Sequence, residues 1–283
     1  MSSETTVVIP TLGQSPYLRE AVESALAERP AEVIVVVNDG AEVELDGVRI
    51  LRREEADRSA ARNLGVERAR TPLVAFLDDD DVALPGRLER QRAGLEAAWW
   101  APLAFGRVRV VDGDGQPLDD WNRLLDRRFS RLARAGAASY EDVLAVQAPI
   151  YTSATMVRRD AFLAVGGFDS AFDAYEDLDL YLRLARIGDL LPLDGEPVTT
   201  YRLHGSNTPS PQLYDGALRV AEKHLPWTTG RARRLLLERR VDALWGLERF
   251  AEARRAALRA VVEEPALLMH PRFARRLAGL ALR

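Results

Sequence analysis

The stretch L-V-A-F-L-D-D-D-D-V-A-L-P, residues 73–85, decides the fold because an apolar segment runs directly into four aspartates. A short apolar run of this kind is typical of a strand that is buried on both faces of a sheet. Four adjacent carboxylates repel one another, a repulsion that a loop made of serine or lysine would avoid. The run therefore leaves two interpretations, a solvated turn and a cation site.

Apolar strands and helix-patterned segments alternate through the first hundred residues. This order predicts an α/β domain with a parallel sheet covered by helices. We predict strands at 5–10, 32–40, 48–52 and 72–77, and helices at 17–29, 58–70 and 85–98, the last with Pro85 at its first position.

The pattern changes beyond residue 100. A strand and hairpin are expected near 103–118, and residues 118–150 fit no clear period. Further segments predict strands at 151–157 and 197–204 and helices at 159–167 and 176–188. From about Pro211 the chain is helical and rich in arginine, which predicts a domain over 1–210 and a helical extension over 211–283.

Composition excludes several classes of protein. The 283 residues carry 39 basic and 43 acidic side chains, a net charge of −4 that argues against a general nucleic-acid binder. No cysteine is present, which excludes disulfides and thiolate metal sites and fits a reducing cytoplasm. The apolar runs are far shorter than the roughly 18 residues that span a bilayer. We expect a cytoplasmic protein, either soluble or peripheral to a membrane.

Polar residues follow three of the predicted strands. They are Pro10 and Thr11, then Asn38 to Gly40, then Asp78 to Asp81. In an open α/β sheet, ligands bind outside the carboxyl ends of the strands, so these residues are expected along one edge. If strand geometry continues, Asp78 and Asp80 point the same way and form a D-x-D pair for magnesium or manganese. Asp79 and Asp81 then act as supporting groups.

Glu176 and Asp177 begin a predicted helix. Acidic residues favour a helix N-terminus for electrostatic reasons alone. The functional alternative is a general base that takes the proton of an acceptor hydroxyl. Helical periodicity turns Leu178, Tyr181 and Leu182 inward, which would hold this first turn rigidly.

Other polar positions have both a structural and a functional interpretation. Arg62 is either an exposed arginine or a phosphate or carboxylate contact. His204 is either structural or a metal or phosphate contact. Gly166 and Gly167 either end a helix or let a ligand approach the main chain.

Taken in order, these stretches resemble the family 2 glycosyltransferases, which have the GT-A fold. The matching elements are V-V-I-P-T, V-I-V-V-V-N-D-G, S-A-A-R-N-L-G, A-F-L-D-D-D-D-V-A-L-P-G-R-L-E, V-G-G-F-D-x-x-F-D-A-Y-E-D-L-D-L-Y-L-R and Y-R-L-H. They span roughly residues 5 to 205, and the helical tail lies outside them.

The resemblance implies inverting transfer of a sugar from a nucleotide-diphosphate donor, with Mn²⁺ or Mg²⁺ as cofactor. It implies that residues 1–112 bind the nucleotide sugar and residues 113–210 the acceptor. Asp177 matches the catalytic base, with Glu176 beside it, and Asp80, Asp78 and His204 are the metal candidates. The donor-binding candidates are Pro10, Thr11, Asp39, Arg62, Asp78, Asp79 and Gly167.

Two other functions remain open from the sequence. A sugar nucleotidyltransferase also uses acidic metal ligands on an α/β sheet, although no glycine-rich triphosphate loop follows the first strand. A non-catalytic carbohydrate-binding or scaffold protein could keep the same fold. The acceptor is open between a saccharide, a lipid-linked saccharide, a peptide and a small natural product. The C-terminal helices are candidates for membrane contact or for homodimer formation.

Overall fold

The computed structural model describes residues 4–145, 149–203 and 210–281. The chain separates into two compact units. The first consists of Met1–Ser170 with Leu180–Ser206, and the second of Ala171–Asp179 with Asn207–Arg283.

The first unit contains all of the strands and the helices that cover them. Its elements up to residue 111 are β1 (Thr5–Thr11), α1 (Leu18–Ala27), β2 (Glu32–Val37), β3 (Arg49–Arg52), α2 (Arg58–Arg68), β4 (Leu73–Phe76), β5 (Val82–Ala83), α3 (Arg87–Ala97), β6 (Leu103–Gly106) and β7 (Val108–Val111). Next come α4 (Asp119–Ala135), α5 (Tyr140–Leu144), β8 (Thr155–Arg158), α6 (Arg159–Ala164), β9 (Leu191–Leu193) and β10 (Thr199–Arg202). The helix α7 (Glu176–Leu184) has residues in both units.

Seven strands form one sheet in the order β3-β2-β1-β4-β8-β6-β9. The four strands β1 to β4 run parallel, which confirms the prediction for the first hundred residues. The sheet becomes mixed because β8 is antiparallel to both β4 and β6. A second sheet of three strands has the order β5-β10-β7.

Burial on both faces explains the uninterrupted apolar strands. Val33 to Val37 of β2 are all buried, and α1 covers one face of the sheet with Leu18, Val22 and Ala25. The predicted inward side chains of α7, which include Leu178, Tyr181 and Leu182, are also buried.

Several predicted boundaries were wrong. The strand predicted at 72–77 ends at Phe76, and the helix predicted to begin at Pro85 begins at Arg87, after Gly86 in a left-handed conformation. The segment 151–157 is only half strand, because a 3₁₀ turn occupies Thr152–Ala154. The unassigned segment contains α4, whose buried Leu125, Phe129 and Leu132 follow a helical period.

The second unit is helical, as predicted for the tail. It contains α8 (Ser210–His224), α9 (Gly230–Gly246), α10 (Phe250–Glu263) and α11 (Pro271–Ala281) around one apolar core. Asp179 is fully buried in this unit, where it pairs with Lys223 at 2.9 Å and with His224 at 3.0 Å. Within the described ranges, no helix is long and apolar enough to cross a membrane.

Replacing Gly65 by alanine tests the contact between α2 and β1. A Cβ at this position would lie 2.3 Å from a methyl carbon of Val8, so the substitution overpacks the helix against the strand. We expect the free energy of unfolding to fall by about 1–3 kcal/mol, although alanine is the better helix former. Chemical denaturation measures this change, and Glu67→Ala on the exposed side of α2 is the control. A Gly65→Ala protein as stable as the control would contradict this packing.

Candidate active site

The four aspartates form a turn, which we call the acidic turn (residues 78–81). The main-chain N–H of Asp81 donates to the carbonyl of Asp78 at 3.2 Å and closes it. The strand geometry therefore does not continue through residues 78–81. The prediction that Asp78 and Asp80 point the same way assumed that it would, and this assumption was wrong. Instead, side chains from several other segments hold each part of the turn.

Arg62 holds the first aspartate of the turn. It lies on the buried side of α2, and its Nη2 is 2.5 Å from Oδ1 of Asp78. Burial alone would raise the pKa of Asp78, but the charges of Arg62 and Arg58 and the hydrogen bond from Arg62 together lower it. Asp78 is therefore kept as a carboxylate by a buried guanidinium.

Thr11, at the end of β1, holds the second aspartate. Its hydroxyl donates to Oδ2 of Asp79 at 2.5 Å, and the hydroxyl of Ser15 donates to the carbonyl of Asp79 at 3.0 Å. Burial raises the pKa of Asp79 to about 6, helped by the charges of Asp80 and Asp78 and opposed by the bond from Thr11. The predicted candidates Thr11 and Asp79 are thus in direct contact.

Arg202 of β10 holds the last two aspartates, a role that the sequence did not reveal. Its main-chain N–H donates to Oδ1 of Asp81 at 2.9 Å, and its Nε donates to the carbonyl of Asp80 at 3.0 Å. Its Nη2 donates to Glu20 at 2.9 Å, and its guanidinium lies 4.2 Å from the ring centre of Tyr17. Arg202 therefore joins the acidic turn to α1 and to the loop before it.

Asp81 is buried, and its pKa is raised well above the ordinary value. Burial is the main cause, and the charges of Asp80 and Asp78 add to it. Hydrogen bonds from the Ser153 hydroxyl and from the main chain of Arg202 oppose the rise. Oδ2 of Asp81 is buried and finds no hydrogen-bond partner among the described residues.

A buried polar network supports the strand ends beneath the turn. Nη2 of Arg87 donates to the carbonyl of Phe76 at 2.7 Å and to that of Thr155 at 3.2 Å. Gln91 accepts from Arg87 and donates to the carbonyl of Ala154 at 2.8 Å. These contacts fix β4 against β8 directly before the acidic turn.

Asn63 positions the predicted Gly167, and the sequence did not single it out. Its amide nitrogen donates to the carbonyl of Phe168, and its Oδ1 accepts from the N–H of Phe168, both at 2.8 Å. The adjacent Arg62 lies 5.2 Å from the ring centre of Phe168. Two neighbouring residues of α2 therefore hold the acidic turn and the turn at Gly166 and Gly167.

Four further candidates lie in β1, directly after β2 and in the first turn of α7, and one lies outside the described residues. Pro10 is buried within β1, and Asp39 is exposed with a positive φ of 61°. Glu176 is buried and Asp177 is half-buried in the first turn of α7, in the second unit, where Oδ1 of Asp177 accepts from the N–H of Leu178 at 2.7 Å. His204 lies outside the described residues.

The acidic turn fits a divalent cation that completes its coordination with ligand oxygens. No group of three or more acidic or histidine side chains that could enclose an ion occurs among residues 4–145, 149–203 and 210–281. Magnesium bound to diphosphates usually takes only one or two protein carboxylates. The turn offers carboxylate oxygens, one of them the unpaired Oδ2 of Asp81, and these are hard donors of the type that magnesium and manganese prefer.

Comparison with known families gives a match over the part of the chain that contains the acidic turn. The family described as glycosyl transferase family 2 matches residues 6–162. This range includes β1 from Thr6 onward, β2 to β8, the acidic turn and Arg62, whereas β9 and β10 lie beyond it.

Two curated relatives are each 30% identical to this chain over the aligned residues. "Uncharacterized glycosyltransferase YwdF" of Bacillus subtilis (strain 168) is 30% identical over 190 residues, which cover 64% of this chain and 67% of YwdF. "Pre-mycofactocin glycosyltransferase" of Mycobacterium tuberculosis (strain CDC 1551 / Oshkosh) is 30% identical over 200 residues, which cover 65% of this chain and 40% of the relative. This chain therefore matches only part of each relative.

A solved structure shares the fold. The structure of S. aureus TarS 1-349 in complex with UDP-GlcNAc superposes with a TM-score of 0.63 at 16% identity, covering 98% of this chain and 80% of the TarS 1-349 chain. Together with the family match, this likeness confirms the predicted GT-A type fold.

Two adjacent glycines provide a matched test of the turn that Asn63 holds. Both have positive φ, 84° at Gly166 and 67° at Gly167. An added Cβ at Gly167 would lie 2.6 Å from Oδ1 of Asn63, whereas at Gly166 it would meet open space. We expect Gly166→Ala to lower the free energy of unfolding by about 1 kcal/mol and Gly167→Ala by about 2–4 kcal/mol. Urea denaturation measures both, and equal losses would show that Asn63 does not fill this space.

Proposed function

Because the chain belongs to glycosyl transferase family 2, we propose that it transfers a sugar from a nucleotide-diphosphate donor to an acceptor nucleophile with inversion at the anomeric carbon. The family match confirms two predictions, that the chain is a family 2 glycosyltransferase and that it is an enzyme of this class. The observation that carries the finer proposal is the acidic turn at the carboxyl end of β4, held by Arg62, Thr11 and Arg202.

The proposed donor site lies along the carboxyl ends of β1, β2 and β4. Thr11 and Asp79 are already bonded to each other, and the Asn38 N–H donates to the carbonyl of Thr11 at 2.9 Å, which joins the ends of β1 and β2. Asp39 follows directly and is exposed. We assign the nucleoside contacts to Thr11 and Asp39 and the contact with the transferred sugar to Gly167.

The proposed metal ligand is Asp80, with Asp78 next to it. The resemblance to the family favours Asp80 as the direct ligand, and the contact of Arg62 with Oδ1 of Asp78 makes Asp78 a group that Arg62 orients. When bound, Mn²⁺ or Mg²⁺ would neutralise charge on the diphosphate leaving group. The protein contributes by holding the acidic turn in one geometry before the donor binds. This lowers the entropic cost of ordering the turn on binding.

Asp177 is the proposed general base, with Glu176 beside it. Its carboxylate takes the proton of the acceptor nucleophile while that nucleophile bonds to the anomeric carbon and the bond to the diphosphate breaks. Asp179 is buried two residues further along and is paired with Lys223 and His224, so it is occupied structurally. This division assigns one carboxylate of α7 to chemistry and another to folding.

The proposed division of the chain follows the same assignment. Residues 1–112 carry the donor-binding elements, residues 113–210 complete the acceptor side, and residues 211–283 form the helical extension. The complex of TarS with UDP-GlcNAc makes a UDP-sugar the first donor to test.

Asp177→Asn tests the assignment of the base. The amide cannot accept the proton, so we expect turnover to fall about a hundredfold or more while donor binding is unchanged. Steady-state kinetics and donor titration measure the two quantities separately. Glu176→Gln is the matched control, and its loss of turnover should be smaller. Full turnover by Asp177→Asn would contradict the proposal.

A thermal-shift series tests the metal and the donor base. Nucleoside diphosphates are compared with and without manganese, and a ligand at 100 times its Kd should add about 2.7 kcal/mol to the free energy of unfolding. We expect UDP to stabilise the protein most, with a manganese-dependent part that Asp80→Asn removes and Asp46→Asn, at an exposed site, retains. Equal stabilisation by UDP in the presence of a chelator would contradict a metal-bridged diphosphate.

A further inference from the structure

The helix α10 presents a face that contains no carboxylate. Its buried side consists of small residues, Ala253, Ala256, Ala257 and Ala260, which pack in the core of the second unit. On the opposite side lie Arg254, Arg255, Leu258, Arg259 and Val262, which we call the α10 outer face. Leu258 is 54% exposed and Val262 is 81% exposed.

The α10 outer face has an apolar stripe at its centre and arginines on both sides of the stripe. Leu258 and Val262 are four residues apart and therefore form one stripe along the centre of the exposed side. At 100° per residue, Arg254 and Arg259 flank the stripe on opposite sides, and Arg255 lies close to it. Single exposed apolar side chains are ordinary on protein surfaces, but an aligned pair among arginines is not explained by solvation alone.

The glutamates of α10 form ion pairs with arginines outside the helix, which neutralise their negative charges. Glu252 is bound by Arg249 at 2.7 Å, and Glu263 by Arg233 at 2.5 Å. Glu264, just after the helix, pairs with Arg234 at 3.4 Å. In contrast, Arg254, Arg255 and Arg259 make no ion pair or hydrogen bond with any residue that the structure describes. The α10 outer face therefore carries three arginines without an ion pair among the described residues, although the pKa of Glu252, lowered mainly by the hydrogen bond from Arg249, is also lowered by the charge of Arg255.

Exposed apolar side chains continue directly after the helix. In the 3₁₀ turn Pro265–Met269, Leu268 is 47% exposed and Met269 is 85% exposed, while Leu267 is buried in the core. Burying Leu267 anchors the turn, so its neighbours are held outward rather than left on a loose segment. The second unit therefore exposes further apolar side chains in the segment that follows α10.

We propose that the α10 outer face binds an anionic lipid surface. A convex helix with an apolar centre and arginines on its flanks can lie in the plane of a membrane, where the apolar side chains enter the acyl boundary and the cations meet lipid phosphates. The long arginine stems allow the guanidinium groups to stay at headgroup level. A protein partner would need a matching acidic groove, whereas an anionic membrane offers this complementarity without one.

Vesicle cosedimentation with the full chain tests the proposal without any glycosyltransferase substrate, so its outcome is independent of the proposed function. Vesicles of phosphatidylcholine with about 30% phosphatidylglycerol are compared with pure phosphatidylcholine. We expect binding to the anionic vesicles only, and weaker binding as salt rises from about 0.1 M to 1 M, where the Debye length falls from about 10 Å to about 3 Å.

Two pairs of variants locate the contact. Arg255→Glu with Arg259→Glu should weaken binding about 20-fold or more, whereas the same change at exposed Arg68 and Arg70 in the first unit should leave it nearly unchanged. Leu258→Ser with Val262→Ser should weaken it about tenfold, whereas Trp99→Ser, at a side chain that is 82% exposed elsewhere, should not. All of these positions are exposed, and a thermal melt checks that each variant is folded.

Three outcomes would overturn the proposal. They are absence of binding to anionic vesicles, equal binding to neutral ones, and unchanged binding by the α10 variants. Light scattering adds a further test: a wild-type dimer that fails to bind vesicles and becomes a monomer in Leu258→Ser with Val262→Ser would assign the face to a second copy of this chain.

Discussion

Four carboxylates at the end of one buried strand are the constraint on which the arrangement of the first unit depends. Asp78, Asp79 and Asp81 are each bound by a side chain or main-chain group from a distant segment. Those segments are α2, β1 and β10, so the sheet and its helices must be in place before the repulsion within the turn is relieved. The same contacts also order the turn before any ligand binds, which makes fold stability and site geometry consequences of one set of bonds.

Buried cations near this turn are compatible with its acidity. Arg87 is fully buried, and burial lowers its pKa to about 10, while the charges of Glu28 and Asp81 oppose that fall. A buried guanidinium is costly without a partner, and Nη1 of Arg87 finds none among the described residues. The charges of Glu28 and Asp81 therefore help to keep protonated the arginine that fixes the end of β4. Carboxylates that act on Arg87 from a distance thus allow acidic and basic groups to be buried close together without a one-to-one ion pair.

The sequence predicts the parallel half of the sheet well because burial on both faces produces continuous apolar strands, as in β2 and β4. It also points to Thr11, Arg62 and Asp79, which lie in short motifs next to strand ends and which the structure places in the contacts of the acidic turn, while their roles stay predictions. It misses Arg202 because the partner of that residue, Asp81, is 121 residues away and no local pattern links them. It also misplaces the end of β4, since apolar Leu77 continues the pattern of the strand although the main chain is already leaving it.

The helical tail shows a related limit of reasoning from composition. Residues 211–283 contain 14 arginines and one lysine against six glutamates and two aspartates, so the count predicts a basic tail but not where its positive charge lies. Pairing locates that charge, because Glu252 and Glu263 are bound by arginines outside α10, while Arg254 and Arg259 are left without acidic partners among the described residues. The charge that a ligand meets is the charge left on one face after internal pairing. For a short helix with a fixed buried side, that remainder can have the opposite sign to the chain as a whole, which here is −4.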